Sequence, residues 1–436
     1  MLSSLIFYIY GEGTGVLILV SSIVFNYFSG LLIGFYIHKV LYKKISLFVG
    51  VVCNLSILVY YKYAFFITSS IQPLSQFQFR FEDLVLPLGI SFFTFQGISY
   101  ITDVYRQEVK ADFSPLRVAL YISYFPQLIA GPIIKYKEIH HYFKVRKAQP
   151  ADIIHGINRF IIGLAKKVIL ADNFAIVADE IFQQNPTEIS SIVAILGVLI
   201  YSLQIYFDFS AYSDMAIALG RIMGFKIPEN FNYPYISVSI QDFWRRWHIS
   251  LSTWFKEYLY IPLGGNRKSI LRTFLNLAIV FFITGLWHGA SWTFVIWGLA
   301  HGFFLIIERV LNRFKLKTNK IFGRIYTVSV VCLLWVIFRS PNLDFASQFY
   351  AKLFELTASG NNNALIYFTP YFIFILSLGI IFSTPLKVAI NQRIKQINSS
   401  IHKKSALTMA SSLLLLFYCI TELVSSTHHP FIYFKF

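Results

Sequence analysis

The chain reads as an all-α, polytopic integral membrane protein on three observations: it is 56% hydrophobic, only 14% charged, and divided into long windows without any charge. A soluble chain carries about 25% charged residues. A soluble protein this apolar could not cover its 436 residues with polar surface, so the bilayer is the natural solvent.

Residues 16–37, 84–102, 189–207 and 363–385 contain no charged side chain. A spanning helix needs about 20 mainly apolar residues, and on that criterion the chain holds roughly ten to twelve membrane segments. Several are short or interrupted by Gly and Pro. These read as re-entrant or broken helices, which are tolerated where protein or a water-filled cavity covers the backbone. No soluble domain or low-complexity linker stands out, so residues 1–436 read as one membrane domain. The first ten residues are too short to span. The chain is therefore expected to begin inside or just after a membrane segment, from a start that is truncated or lies further upstream.

The net charge of +17 sits in short loops between apolar runs: 38–44, 135–147, 266–272, 309–324 and 387–404. The positive-inside rule places these on the cytoplasmic side and accounts for the charge without nucleic acid. Residues 325–338 and 363–385 separate two basic loops, and the connection at 339–362 is poor in basic residues, which fits the outer side. Residues 405–421 then cross once more and leave the C-terminus outside. Cys53, Cys332 and Cys419 each lie in an apolar run with no metal-ligand spacing, so they read as buried thiols. No ligand cluster suggests a metal.

Residues 273–307 have basic flanks on both sides and should enter and return as a hairpin, bending near Trp287, His288 and Gly289. The expected arms are about 14 and 18 residues, the first short of a full crossing. His288 would then lie within the membrane or recessed below the outer surface. An isolated His there could simply bond a helix carbonyl. Against this, ionisable groups at membrane depth are costly and mark sites, and imidazole titrates near neutral pH. His301, beside Gly302, reads more simply as a packing or carbonyl partner.

Residues 241–267 read QDFWRRWHISLSTWFKEYLYIPLGGNR. Taken as one helix over 241–258, Gln241, Arg245, His248, Ser252 and Lys256 share a stripe, and Asp242, Arg246, Ser250, Thr253 and Glu257 form a second. Phe243, Trp247, Leu251, Trp254 and Tyr258 make the opposite, aromatic face. Asp242 can pair with Arg246 one turn on. Two readings stand: an interfacial amphipathic helix at headgroup level, or a helix lining a polar cavity with His248 pointing in. Further back, Asp208, Ser210, Ser213 and Asp214 form a polar cluster that suits helix packing or capping, or an ion site. Walker, GxSxG and HExxH motifs are absent.

The 241–267 run, followed by TGLWHGASWTFVIWGLAHG at 284–302, resembles the membrane-bound O-acyltransferase family, and most closely its polysaccharide branch, which acetylates alginate. Further stretches agree: LPLGISFFTFQGISYITDVYR at 86–106, YFPQLIAGPIIKYKEI at 124–139, YFDFSAYSDMAIALGRIMGF at 206–225 and HPFIYFKF at 429–436. The departure is at the N-terminus, where the family usually has one further apolar segment.

The resemblance implies a multi-helix fold around a central funnel, with His288 as the essential histidine and His248 as its second. It implies an acetyl donor, acetyl-CoA, used as a co-substrate from the cytoplasm. The acceptor would be a periplasmic or extracellular polysaccharide, reached through a separate envelope protein, and the location the bacterial inner membrane. Trp287, Arg245, Arg246, Ser252 and Lys256 are the expected substrate-binding residues. The three cationic ones could equally contact lipid headgroups. His288 would act as a general base or carry the acyl group itself. The alternatives are D-alanyl transfer from a carrier protein to teichoic acid, and a transporter or flippase that would use Asp208 and Asp214.

Overall fold

The structure, a computed structural model, describes residues 1–72, 84–143, 146–314, 319–355, 364–386, 401–425 and 430–431. The basic stretch 387–400 and most of the C-terminal HPFIYFKF run lie outside the described residues. Helices form every regular element among those described, and no strand occurs there.

Six helices are long and apolar enough to cross a membrane: Leu2–Phe35, Val40–Ile71, Ser191–Ile222, Ile270–His288, Trp292–Arg313 and Lys320–Arg339. Two shorter apolar helices, Pro370–Phe382 and Ala410–Ser425, follow. Other segments are short and broken, as the Gly and Pro interruptions predict. The 84–102 window becomes a helix over Ile90–Tyr105. It starts at Gly89, where φ is +73° and a Cβ would lie 2.3 Å from the Leu128 carbonyl oxygen, so no side chain fits.

The described chain divides into two compact units. The first comprises Met1–Gly156, Leu219–Pro228 and Thr253–Leu259. Its core is the Ile90–Tyr105 helix, buried on nearly every face. The Val16–Phe35 helix packs against it through Gly30, where a Cβ would lie 2.4 Å from the Tyr100 ring. Asn26 and Asn54 exchange amide hydrogen bonds of 3.0 and 2.9 Å, satisfying two buried polar groups without water. Trp254 stacks flat on Phe95 at 3.8 Å and donates to Ser99 Oγ at 2.8 Å. Beside it, Glu257 accepts from Lys135 and Lys137 at 2.9 and 2.7 Å.

The second unit comprises Ile157–Ala218, Glu229–Ser252 and Tyr260–Phe436. Its closest helix pair is Ile270–His288 with Trp292–Arg313, antiparallel across Gly289–Ser291. This is the expected hairpin with its bend in the expected place. The first arm, at 19 residues, is a longer helix than the 14 apolar residues foretold, because Ser269 caps it and Arg272 is already helical. Gly285 faces Gly298: a Cβ on either would lie 2.3 Å from a backbone oxygen of the opposite helix. Small residues thus let the two backbones touch, the usual means of packing helices when lipid is as apolar as Leu.

Candidate active site

The 241–258 segment is not one helix. Ile240–Trp244 is helical, residues 245–248 turn, and Ile249–Phe255 is a second helix. The break centres on His248, whose φ of 44° is left-handed. Such a conformation is uncommon for residues other than Gly, although His shares with Asn and Asp a tolerance for it, and it is held by its surroundings. Here the holding comes from upstream: Asn232 N–H donates to the Arg246 carbonyl at 2.9 Å, and Ile249 N–H to the Asn230 carbonyl at 3.0 Å. The single polar stripe therefore does not form. Arg245 and Lys256 are exposed, whereas His248 is fully buried. The aromatic face fares better, with Phe243, Trp247, Leu251 and Trp254 all buried.

Asn230 is the residue the sequence did not reveal. Its Nδ2 donates to Ser213 Oγ at 3.1 Å, which makes Oδ1 the acceptor. Oδ1 takes bonds from Ser250 N and Oγ at 3.2 and 2.9 Å and lies 3.2 Å from His248 Nδ1. His248 Nδ1 therefore carries the proton, and Nε2 is its basic nitrogen. Burial pushes the imidazole down to about 3, so the ring is neutral. A run of turn-forming residues at 229–234, ENFNYP, was the only local signal of this loop.

His288 ends the Ile270–His288 helix and is 5% exposed. Trp287, Trp297 and Phe338 surround its ring edge-on at 4.9, 4.9 and 5.3 Å. Gly289 is required behind it, since a Cβ there would lie 2.1 Å from the Phe294 ring. The indole of Trp287 also meets the His248 ring at 5.8 Å. Trp287 is thus shared by both histidines. The ring sequence continues through Trp297 to His301 at 4.9 Å, and Trp244 Nε1 donates to His301 Nδ1 at 3.3 Å. His301 is a buried partner of Trp244, in keeping with its packing role.

The remaining expected residues divide. Arg246 pairs with Asp242 at 2.9 Å, as its spacing foretold, and donates to the Asn232 carbonyl. Ser252 contributes its N–H to the His248 carbonyl at 3.0 Å, starting the second helix. Asp208 pairs with Lys167 at 2.7 Å, and Asp214 with both Arg159 and Lys166 at 2.7 Å. These carboxylates hold helices together by ion pairing, as buried charges must be paired.

Two buried imidazoles around a shared indole, one with a fixed tautomer, suit proton transfer and acyl chemistry in a water-poor site. Comparison with known proteins points to acyl transfer independently of this geometry. Residues 4–343 match the family model described as MBOAT, membrane-bound O-acyltransferase family. The chain is 44% identical over 362 residues to the probable alginate O-acetylase of Pseudomonas aeruginosa, covering 81% of this chain and 69% of that protein. It is 42% identical over 380 residues to the peptidoglycan O-acetyltransferase of Helicobacter pylori, covering 79% and 71%. Over 281 residues it is 32% identical to the teichoic acid D-alanyltransferase of Bacillus subtilis, covering 59% and 69%.

Proposed function

This chain belongs to the membrane-bound O-acyltransferase family and is an O-acyltransferase, and we propose that it supplies acetyl groups from a cytoplasmic thioester, acetyl-CoA, for O-acetylation of an extracytoplasmic polysaccharide. The observation that carries the reading is His288, buried at a helix end between Trp287 and Trp297. The relatives named as acetylases support acetyl over D-alanyl transfer, because they match at higher identity and over more of the chain.

In the direct route, His288 takes the proton of the acceptor hydroxyl as its oxygen bonds to the thioester carbonyl carbon. The C–S bond breaks, and the thiolate leaves and recovers that proton. In the two-step route, a neutral ring nitrogen of His288 attacks the thioester carbonyl carbon and expels the thiolate; the acceptor hydroxyl then attacks the acetyl-imidazole carbonyl, loses its proton and releases the imidazole. His248, neutral and held by Asn230, orients the acceptor or His288 through the Trp287 wall. Ser252 starts the helix behind it. Exposed Arg245, with Arg246, draws in an anionic donor or polymer; exposed Lys256 belongs to the other unit and adds a cation there. The setting is the bacterial inner membrane, with a separate envelope protein passing acetyl groups to the polysaccharide.

The test is His288→Ala in the native host, with polymer O-acetylation read by NMR and protein level by immunoblot. Loss of acetylation at normal protein level is expected. Wild-type acetylation by the inserted variant overturns the assignment, and D-alanine esters in place of acetate overturn the choice of acyl group.

A further inference from the structure

The second unit contains a cavity of about 450 Å³, within the size range of small-ligand sites. Ile162, Ile169, Leu170, Leu378, Phe382 and Leu415 line one part of it. Arg159, Lys166, Asp214, Glu229 and Asn230 line the other. The two parts have separate consequences.

The polar part is charge-balanced. Arg159 bonds Asp214 at 2.7 Å and Glu229 at 2.6 Å, and Lys166 bonds Asp214 at 2.7 Å. Two cations therefore face two carboxylates. A ligand carrying one sign of charge would gain from one pair and be repelled by the other. A head with both a phosphate and an ammonium can pair with both. Glu229, 60% exposed, has room to swing from Arg159 toward such an ammonium.

The apolar part says how the ligand arrives. Rim residues Ile162 and Phe382 are 40% and 39% exposed. The Pro370–Phe382 helix, PYFIFILSLGIIF, is apolar around its whole circumference, as a lipid-facing helix is. The cavity is thus open at exposed Glu229 on its polar part and at this apolar rim, so a ligand with a charged head and an acyl chain fits both openings. We propose that the cavity binds one phospholipid with a phosphoethanolamine head: phosphate to Arg159 and Lys166, ammonium to Glu229 and Asp214, and an acyl chain among Ile162, Ile169, Leu378 and Leu415. Asn230 forms part of the wall and holds His248 Nδ1, so the bound lipid braces the loop that carries His248.

The full chain, purified from a membrane containing phosphatidylethanolamine and phosphatidylglycerol, is examined by native mass spectrometry. One phosphatidylethanolamine per chain is expected. Ile162→Trp, which fills the rim, lowers its occupancy about tenfold, equivalent to losing ~1.4 kcal/mol of binding. Ile154→Trp, on the same helix at a position 60% exposed and outside the lining, leaves it unchanged. If Ile162→Trp does not yield monodisperse protein, Leu415→Trp, at a lining position on another helix, decides. Wild-type chain without lipid, equal retention of phosphatidylglycerol, or full occupancy in the deciding variant overturns the proposal. Binding is read without turnover, so this result stands apart from that for acetyl transfer.

Discussion

Asn230 Oδ1 lies 3.2 Å from His248 Nδ1, and the two residues are joined a second time where the Asn230 carbonyl accepts the Ile249 N–H. A residue eighteen positions upstream therefore sets both features of the histidine, its side-chain amide the tautomer and its backbone carbonyl the turn.

Asn230→Ala removes the acceptor for Ser250 and His248 together. Each buried donor left without a partner costs about 1–3 kcal/mol. The variant is expected to unfold at lower temperature and to lose O-acetylation. Wild-type values for both, by thermal unfolding and acetate release from the polymer, would show that Asn230 does not hold the loop.

His248→Asn and His248→Val separate backbone from chemistry. Asn tolerates φ near 44°, whereas a β-branched residue there is a steric outlier. His248→Asn should insert at near wild-type level with reduced activity, and His248→Val should accumulate poorly. Equal accumulation of the two would remove strain from the account of this turn.

The pH profile of the reaction should not report His248. With the imidazole pushed down to about 3 by burial, it stays neutral from about pH 5 to 8. Activity of His248→Asn, scaled to its maximum, should superimpose on wild type across that range. A displaced acidic limb would mean that His248 titrates during turnover.

Stability at low pH should depend on Glu257. Burial would raise its carboxyl, but the Lys135 and Lys137 ammonium groups outweigh this and hold it below the usual range. A carboxylate depressed in the folded state stabilises the protein above its unfolded pKa, and that contribution is lost as pH falls through the folded value. Thermal stability should therefore fall below about pH 4, and Glu257→Gln should flatten that fall. Parallel curves for variant and wild type would count against the ion cluster.

Gly298→Ala tests the hairpin that carries His288. The added Cβ would meet the Phe281 carbonyl oxygen at 2.3 Å, so the helices must separate. The variant should lose about 1–3 kcal/mol and its activity together. Gly11→Ala, with nothing within 4 Å of its Cβ, serves as control. A Gly298→Ala chain as stable as the control would show that the close approach is dispensable.

Much of the fold was legible because its signals are local. Apolar length marked the Val16–Phe35, Ser191–Ile222 and Lys320–Arg339 helices, and flanking charge marked the hairpin that bends after His288. The Asp242–Arg246 pair followed from helical spacing alone. The helix through His248 was misread for the same reason: its periodicity continues across the break, and nothing nearby in the chain announces the turn. Backbone bonds from Asn230 and Asn232 impose it, and these depend on the chain returning to itself.

The sequence by itself thus determined that the protein is helical, lies in a membrane and carries a histidine at a hairpin bend, because hydrophobic length and charge act residue by residue. Only the tertiary structure decided that His248 occupies a left-handed turn locked by Asn230, that Trp287 stands against both histidines, and that Arg159 and Lys166 neutralise Asp214 beside a cavity. Those arrangements pair groups far apart in the chain, and their energies exist only once the helices have packed.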